Sequence, residues 1–559
     1  MTTTVSPPTK RWQIRADPDV TPQGDWPPLI GRLLGLRGVR TEAEARSFLD
    51  RDPPAALPPL PDLERAVERL AHACRSAESV AVYGDFDVDG VTSAALLTEG
   101  LQALGARPVP YIPHRVSEGY GLNTKAIESL NELGATLLVT ADCGTSSVQE
   151  IAFARGRGMD ALVLDHHTVP PQLPAALAIV NPKRDGATGE EPAACGIAYY
   201  VLVALYEALG RALNEASLLE LVALGTVCDL APLVGENRRL VREGLRAVAH
   251  TERPGLRALL EVSGCDPQRV DTEAVGFSLG PRLNAAGRLA HARLAFDLLT
   301  CREEERGQEL ASELDALNRE RQRATQDAYA LADELLAGEG DPALLMLGHP
   351  ELPAGIVGLV AARLVDARRR PAIVYQEGEV TSRASARSIP EFDVTGALRT
   401  CPELFVRFGG HRMAAGFTAE NERLPEIKER LIAHAEAQLA GADLSPAIQI
   451  DAELPLSSIR GDEIRWLARL APHGVGNPEP TFLSRSVTVA EAQPVGADGQ
   501  HLRLKLRDGA VVWPAIAFRQ SGDGIEAGGR ADVVFSLSAE RRTADGLELR
   551  VLDLRPAHP

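Results

Sequence analysis

The chain reads as an α/β protein. It has a doubly wound parallel-sheet core, a long linker helix, a second α/β domain and a small C-terminal β-barrel. Three observations predict this. From about residue 79 to 164, short continuous apolar runs alternate with helical patterns, as strands buried on both faces do. From 302 to 336 the chain is rich in charge, with no proline and only Gly307 as glycine, which reads as a solvated helix. From about 447 onward, apolar and polar residues alternate between turn signals, the pattern of a small antiparallel barrel.

In chain order, "SVAVY" (Ser79 to Tyr83) is a strand, "GDFDVDG" (Gly84 to Gly90) a tight acidic loop, and a helix follows from about Val91. "RPVPYIP" is a second strand. "NTKAIESLNEL" is a helix with Asn123 as its N-cap. "TLLVTADCG" is a third strand running into Asp142, "SSVQEIAFARGRG" a helix, and "ALVLDHH" a strand ending in Asp165, His166 and His167. Ligands of such sheets bind beyond the carboxyl ends of the strands. Asp87, Asp89, Asp142 and His166 all lie at that end. A helical stretch from Gly196 to Leu224 leads into "LGTVCDLAPLVGENR", which carries Asp229. The second α/β domain includes "ALLMLG", "GIVGLVAARLVDA" and "PAIVYQ". "HLRLKLRDGAVVWPAIAF" and "ADVVFSLSAERRTADGLELRVLDL" belong to an OB-like barrel. The expected boundaries are an N-terminal extension at 1–60, the core at 61–301, the linker helix at 302–336, the second domain at 337–442 and the barrel at 443–559.

The bulk numbers narrow the class. At 559 residues the chain is too long for one core, and 45% hydrophobic with 24% charged residues is ordinary for a folded protein. "MTTTVSPPTKRWQ" has no apolar h-region, and "AACGIAYYVLVALYEALG", interrupted by Glu207, reads as a buried helix; no membrane association is expected. Seven scattered cysteines form no CxxC pair, which argues against a zinc finger and fits a reducing cytoplasm. A net charge of −18 argues against a broad nucleic-acid-binding surface. It leaves room for a narrow basic channel or a metal-loaded acidic site.

The chemistry concentrates in four short stretches. In "GDFDVDG", acids at i, i+2 and i+4 are costly to hold together without a cation. Leu96 at the twelfth position excludes an EF-hand. A cluster capping the following helix is the alternative. Asp142 in "TADCG", the "DHH" triplet and Asp229 in "GTVCD" each read singly as turn or cap residues. Together, Asp87, Asp89, Asp142, His166 and Asp229 form a carboxylate-rich set with one imidazole. That mixture suits Mn²⁺, and Mg²⁺ less well. Two such ions 3.5–4 Å apart are, in general, the machinery of phosphate-ester hydrolysis.

In that order, "GDFDVDG", "ADCG", "LDHH" and "GTVCD" resemble the four motifs of the DHH phosphoesterase superfamily. "IPHRVSEGYGLN", "PRLNAAGRL", "LNRERQ", "VRFGGHRMAAGF" and "GVGNPEPTF" resemble its branch of single-strand-specific 5′-to-3′ exonucleases, from about residue 70 to the end. The resemblance implies a DHH core, a DHH-associated domain and an OB domain. It implies Asp87 as ligand of one ion, Asp89, His166 and Asp229 as ligands of the other, and Asp142 as the bridge. His167 would touch the scissile phosphate. Asp85 is either a ligand or an orienting group, and Asp165 an orienting carboxylate. Where many members carry His, this chain has Tyr83.

For the DNA strand, the resemblance points to Arg115, Tyr120, Asn123, Arg282, Asn284 and Arg288, including contacts to a 5′-phosphate. It adds Arg383, Ser385 and Arg387 in "TSRASARS", and Gly409, Gly410 and His411 in "FGGHRMAAGF". By composition both stretches read as loops that expose backbone N–H groups. In the barrel, Phe482, Trp513, Phe518 and Phe535 are few, so modest strand binding through backbone contacts is expected. The implied function is release of 5′-mononucleotides from single-stranded DNA in repair and recombination. The implied enzyme is a monomer served by a helicase and a single-strand-binding protein. The alternatives are a short-oligonucleotide or cyclic-dinucleotide phosphodiesterase, and a non-catalytic replication scaffold.

Overall fold

The computed structural model describes residues 10–49, 59–184, 191–338, 340–496, 499–520, 522, 524–539 and 547–557. The chain divides into two compact units: Ala56–Leu444, and Met1–Ala55 together with Ser445–Pro559. Among the described residues no helix is long and apolar enough to cross a membrane.

The first unit contains the parallel sheet. Its five strands lie in the order Arg107–Tyr111, Ser79–Gly84, Leu137–Ala141, Asp160–Leu164, Ala178–Val180, all parallel. Chain order reverses between Ser79–Gly84 and Leu137–Ala141. Connections leave these neighbours in opposite directions and open a crevice at their carboxyl ends, the general ligand position of such sheets. The "GDFDVDG" loop and Asp142 lie there.

The helix after the acidic loop begins at Val88, three residues before the expected start. Asp87 causes this: its Oδ1 accepts hydrogen bonds from the N–H groups of Asp89 at 3.0 Å and Gly90 at 3.1 Å. The loop is folded tightly on itself. A Cβ at Gly90 would stand 2.4 Å from the Asp85 nitrogen, so only glycine fits.

The 33-residue helix Glu304–Leu336 is not solvated all round, contrary to the reading of its charge pattern. Leu310, Ala311 and Leu314 join the core of the parallel-sheet domain, and Ala328, Ala332 and Leu336 join that of the second domain. Small residues carry much of this buried stripe, which is why hydropathy hid it.

The second domain has a mixed five-stranded sheet in the order Arg407–His411, Ala414–Glu420, Thr381–Arg387, Ala372–Gln376, Leu345–His349; only the last two are parallel. The stretches read as phosphate-cradling loops are therefore strands, a correction to that expectation. In Thr381–Arg387, Ser382, Ala384 and Ala386 are buried, while Arg383, Ser385 and Arg387 alternate on the more open face. Serine and alanine concealed a period-2 pattern that larger side chains would have made plain.

In the other unit, five strands close into a barrel: Phe482–Val495, His501–Asp508, Val511–Ala517, Leu547–Pro556 and Arg530–Ala539, the last pairing back to the first. Arg11–Ile14 pairs in parallel with Ala447–Ile450, and Ile30, Leu33 and Leu34 enter the barrel core. Phe482 and Phe535 are core residues with ring centroids 5.8 Å apart. Trp513 donates its indole N–H to the Leu456 carbonyl, and Phe518 is exposed.

Candidate active site

Two groups of ligand-type atoms converge in the crevice. Asp85, Asp87 and Asp142 form one, and Asp89, His166 and Asp229 the other. Asp142 also groups with His166 and His167, so it stands between the two. Its backbone is left-handed, with φ 66°, a strained conformation for a non-glycine residue and one that recurs at functional sites.

Each side chain is held from behind. Both Asp89 oxygens accept backbone N–H groups, from Ala194 at 2.8 Å and Cys195 at 2.9 Å, at the start of the helix Ala194–Ala208. His166 Nε2 lies 3.1 Å from Asp142 Oδ1 and 3.8 Å from Asp89 Oδ2, and its Nδ1 lies 3.8 Å from Asp229 Oδ2. The neighbouring His167 is aimed differently. Its Nδ1 lies 2.8 Å from Asp165 Oδ1, which leaves Nε2 free of that bond. Asp165 also accepts the N–H groups of Thr145, His166 and His167. It orients the turn instead of joining either ligand group. Tyr120 places its hydroxyl 3.2 Å from His167 Nδ1.

Electrostatics set these residues apart. Burial, then repulsion from the neighbouring aspartates, holds Asp85, Asp89, Asp142 and Asp229 above the usual carboxylate range; at Asp89, His166 pulls the other way. Burial also lowers His166, so its imidazole stays neutral, the form that binds metal. Burial is the largest single influence and opposes the charge on His167 and Asp165, but their mutual hydrogen bond and attraction, with Thr145 bonding Asp165 and Asp87 and Asp89 attracting His167, together outweigh it. His167 is raised and Asp165 lowered. Among the described residues, no Lys or Arg forms a salt bridge with Asp85, Asp87, Asp89, Asp142 or Asp229, and Asp85 Oδ1 is buried without a hydrogen-bond donor. Carboxylates packed this way call for a cation. The oxygen-plus-imidazole donor set, with no thiolate, fits Mn²⁺ or Mg²⁺.

Next to the acids sits their electrical opposite. Arg115, Arg288, Arg321 and Arg387 come from the loop after Arg107–Tyr111, the helix Gly280–Leu289, the long helix and the strand Thr381–Arg387. None has an ion-pair partner among the described residues. Burial is the main cause lowering all four. For Arg288, repulsion from the other three adds to it and brings the value to about 9. Arg115 lies over the Phe86 ring at 4.6 Å, and Arg288 donates to the Gly355 carbonyl at 3.2 Å. Half-buried guanidinium groups gathered in one place without a carboxylate partner suit an anion.

Other expected residues fall variously. Asn123 caps its helix through the Ala126 N–H and donates to Glu118, so it supports the loop that carries Arg115 and Tyr120. Tyr83 does the same. It is buried, and its hydroxyl donates to the Gly121 carbonyl at 2.9 Å. Arg383 donates to the Val116 carbonyl of that loop. Ser385 faces the same way as Arg387, two residues on, and Asn284 lies one helical turn before Arg288. Gly409, Gly410 and His411 form an exposed strand edge. Arg282 stands apart. It is engaged by Asp315 at 2.9 Å and by the Ser278 carbonyl, and so is withdrawn from the arginine group. Arg321 and Glu118 went unassigned in the sequence. Arg321 follows the buried Asn318 by three residues, on the stripe through Gly307 and Leu314 that only the packing reveals.

The chain is similar to known proteins along most of its length. Family models match residues 79–226 (DHH family, N-terminal domain), 340–439 (DHHA1 domain) and 450–553 (RecJ OB domain). The single-stranded-DNA-specific exonuclease RecJ of Salmonella typhimurium is 38% identical over 536 residues, covering 90% of this chain and 91% of the relative. RecJ of Bacillus subtilis is 36% identical over 542 residues, covering 94% of this chain and 68% of the relative. A crystal structure of RecJ from Thermus thermophilus in complex with Mn²⁺ superposes with a TM-score of 0.84 at 31% identity, covering 98% of this chain and 80% of that one.

Proposed function

The chain belongs to the RecJ family of single-stranded-DNA-specific exonucleases, and on that premise we propose that it releases mononucleotides from the 5′-phosphorylated end of single-stranded DNA by two-metal-ion hydrolysis. One observation carries this reading: a buried acid cluster for cations lies against a half-buried arginine cluster for an anion. Arg115, Arg288, Arg321 and Arg387 would hold the terminal 5′-phosphate. The scissile phosphate, one nucleotide further along, would then lie at the acids. That arrangement reads polarity from the end group and removes one nucleotide at a time.

Asp85, Asp87 and Asp142 would hold one ion and Asp89, His166 and Asp229 the other, with Asp142 shared. When bound, such ions make water a better nucleophile and neutralise charge gathering on the phosphate. The chain's own residues do the rest. Asp165 keeps the His167 proton on Nδ1 and stabilises the imidazolium. That leaves Nε2 as the group that gives a proton to the departing 3′ oxygen. Tyr120 packs against His167, ring centroids 5.4 Å apart, and limits its motion. Asn123, Tyr83 and Glu118 hold the Arg115–Tyr120 loop in place before substrate arrives.

A helicase that supplies the strand and a single-strand-binding protein are the partners such an activity calls for. The test is degradation of end-labelled oligonucleotides with Mn²⁺. Mononucleotides should leave from the 5′ end of single strands only. Attack from the 3′ end, or equal attack on blunt duplex, would refute the reading.

A further inference from the structure

A cavity of about 250 Å³ adjoins the centre through Thr168, the residue after His167. Its other walls are Asp393, Thr395, Arg399, His411 and Arg412 of the second domain, with Gly410 at the rim. The lining is polar and carries no Phe, Tyr or Trp. Arg399 is exposed, and its side chain has no hydrogen-bond or ion-pair partner among the described residues. Arg412 donates one bond, to the Pro390 carbonyl at 2.7 Å. The single acid, Asp393, accepts the Gly396 N–H at 2.8 Å, and Thr395 donates to the His411 carbonyl. Two permanent cations thus face one carboxylate, on a chain whose net charge is −18. The arginine cluster meets the acids through the "GDFDVDG" loop, whereas this cavity meets them through the "DHH" turn.

We propose that the cavity holds the phosphate immediately 3′ of the scissile one, with Arg399 and Arg412 as its cations. The inference rests on the exonuclease reading. If the terminal nucleotide spans from the arginine cluster to the acids, the rest of the strand leaves past His167. The first anionic group it carries there is that phosphate. A cavity of this size and polarity suits a phosphodiester and offers a base no large ring to stack on.

Substrate length isolates the contact. A 5′-phosphorylated dinucleotide has a terminal and a scissile phosphate but none beyond; a trinucleotide has one more. In Arg399→Gln and Arg412→Gln, kcat/KM should fall roughly three- to tenfold on the trinucleotide and stay within about twofold of wild type on the dinucleotide. The salt dependence of trinucleotide cleavage should become shallower by about 0.7 in the double variant. Arg399 is exposed and unbonded, so its variant keeps the fold, and dinucleotide turnover reports this directly. Equal losses on both lengths, or no loss on either, would overturn the proposal. So would weaker inhibition by free mononucleotide without any length dependence. Failure of the wild type on both substrates would instead overturn the exonuclease reading itself.

Discussion

Two clusters of opposite sign, one buried and one half-buried, share one unit of this protein, and they were built in different ways. Asp85, Asp87, Asp89, Asp142 and His166 sit within a few residues of strand ends, and Asp229 joins them from the end of a helix. The arginines come from a loop, two helices and a strand of the second domain. Both clusters are like-charged and, among the described residues, have no Lys, Arg, Asp or Glu of opposite sign in salt-bridge contact, so each holds free energy against the fold until a ligand of opposite sign arrives. A third buried group differs. Arg253 lies 2.6 Å from Glu99 and 3.2 Å from Glu220, so opposite charges meet within the group. Paired charge of that kind supports structure, whereas unpaired like charge marks a site.

The comparison breaks most visibly at Asp142. In Asp142→Asn, turnover should fall at least about a thousandfold, while the metal-free protein should unfold at a higher temperature than wild type because one repelling carboxylate is gone. Chemical denaturation in chelator checks this; a destabilised variant would contradict mutual repulsion. Arg288→Gln should behave in parallel at smaller scale. The preference for 5′-phosphate over 5′-hydroxyl ends should drop about ten- to a hundredfold in kcat/KM, with ligand-free stability kept or raised.

Glu220 tests the paired group. Burial, against the pull of Arg253, pushes it up to about 7 from its ordinary 4.5. Because the folded value is the higher one, its contribution to stability is complete below about pH 4.5 and is lost as pH rises through 7. Glu220→Gln should therefore flatten the decline in stability between pH 5 and 8 by roughly 2 kcal/mol, read from urea midpoints. The smallest effect belongs to Arg282→Ala. Since Arg282 is spent on Asp315, end-group preference should change less than about twofold, with a stability loss of about 1 kcal/mol. A large change in preference would return Arg282 to the substrate.

Much of the acid cluster was legible because all but Asp229, which ends a helix, follow an apolar strand, and strand ends in a parallel sheet share one edge. Asn123 was legible as a cap for a similar reason: the signal is local. Arg321 was not, because "NRERQRA" looks like a solvated face and only the packing of Gly307, Leu314 and Asn318 shows which side is buried. The strand Thr381–Arg387 read as a loop because serine and alanine carry little hydropathy. The role of residues 10–49 in the barrel core was equally hidden, since the partner of Arg11–Ile14 lies more than four hundred residues away.

By itself the sequence determined the parallel-sheet core, the acidic motifs and their order, because these depend on periodicity and on residues adjacent along the chain. Only the tertiary structure decided which arginines meet, that Arg282 leaves them, and that His166 and His167 face different partners. Those outcomes depend on distances between segments far apart in sequence. Like charges are brought together there against their own repulsion by the burial of apolar surface elsewhere.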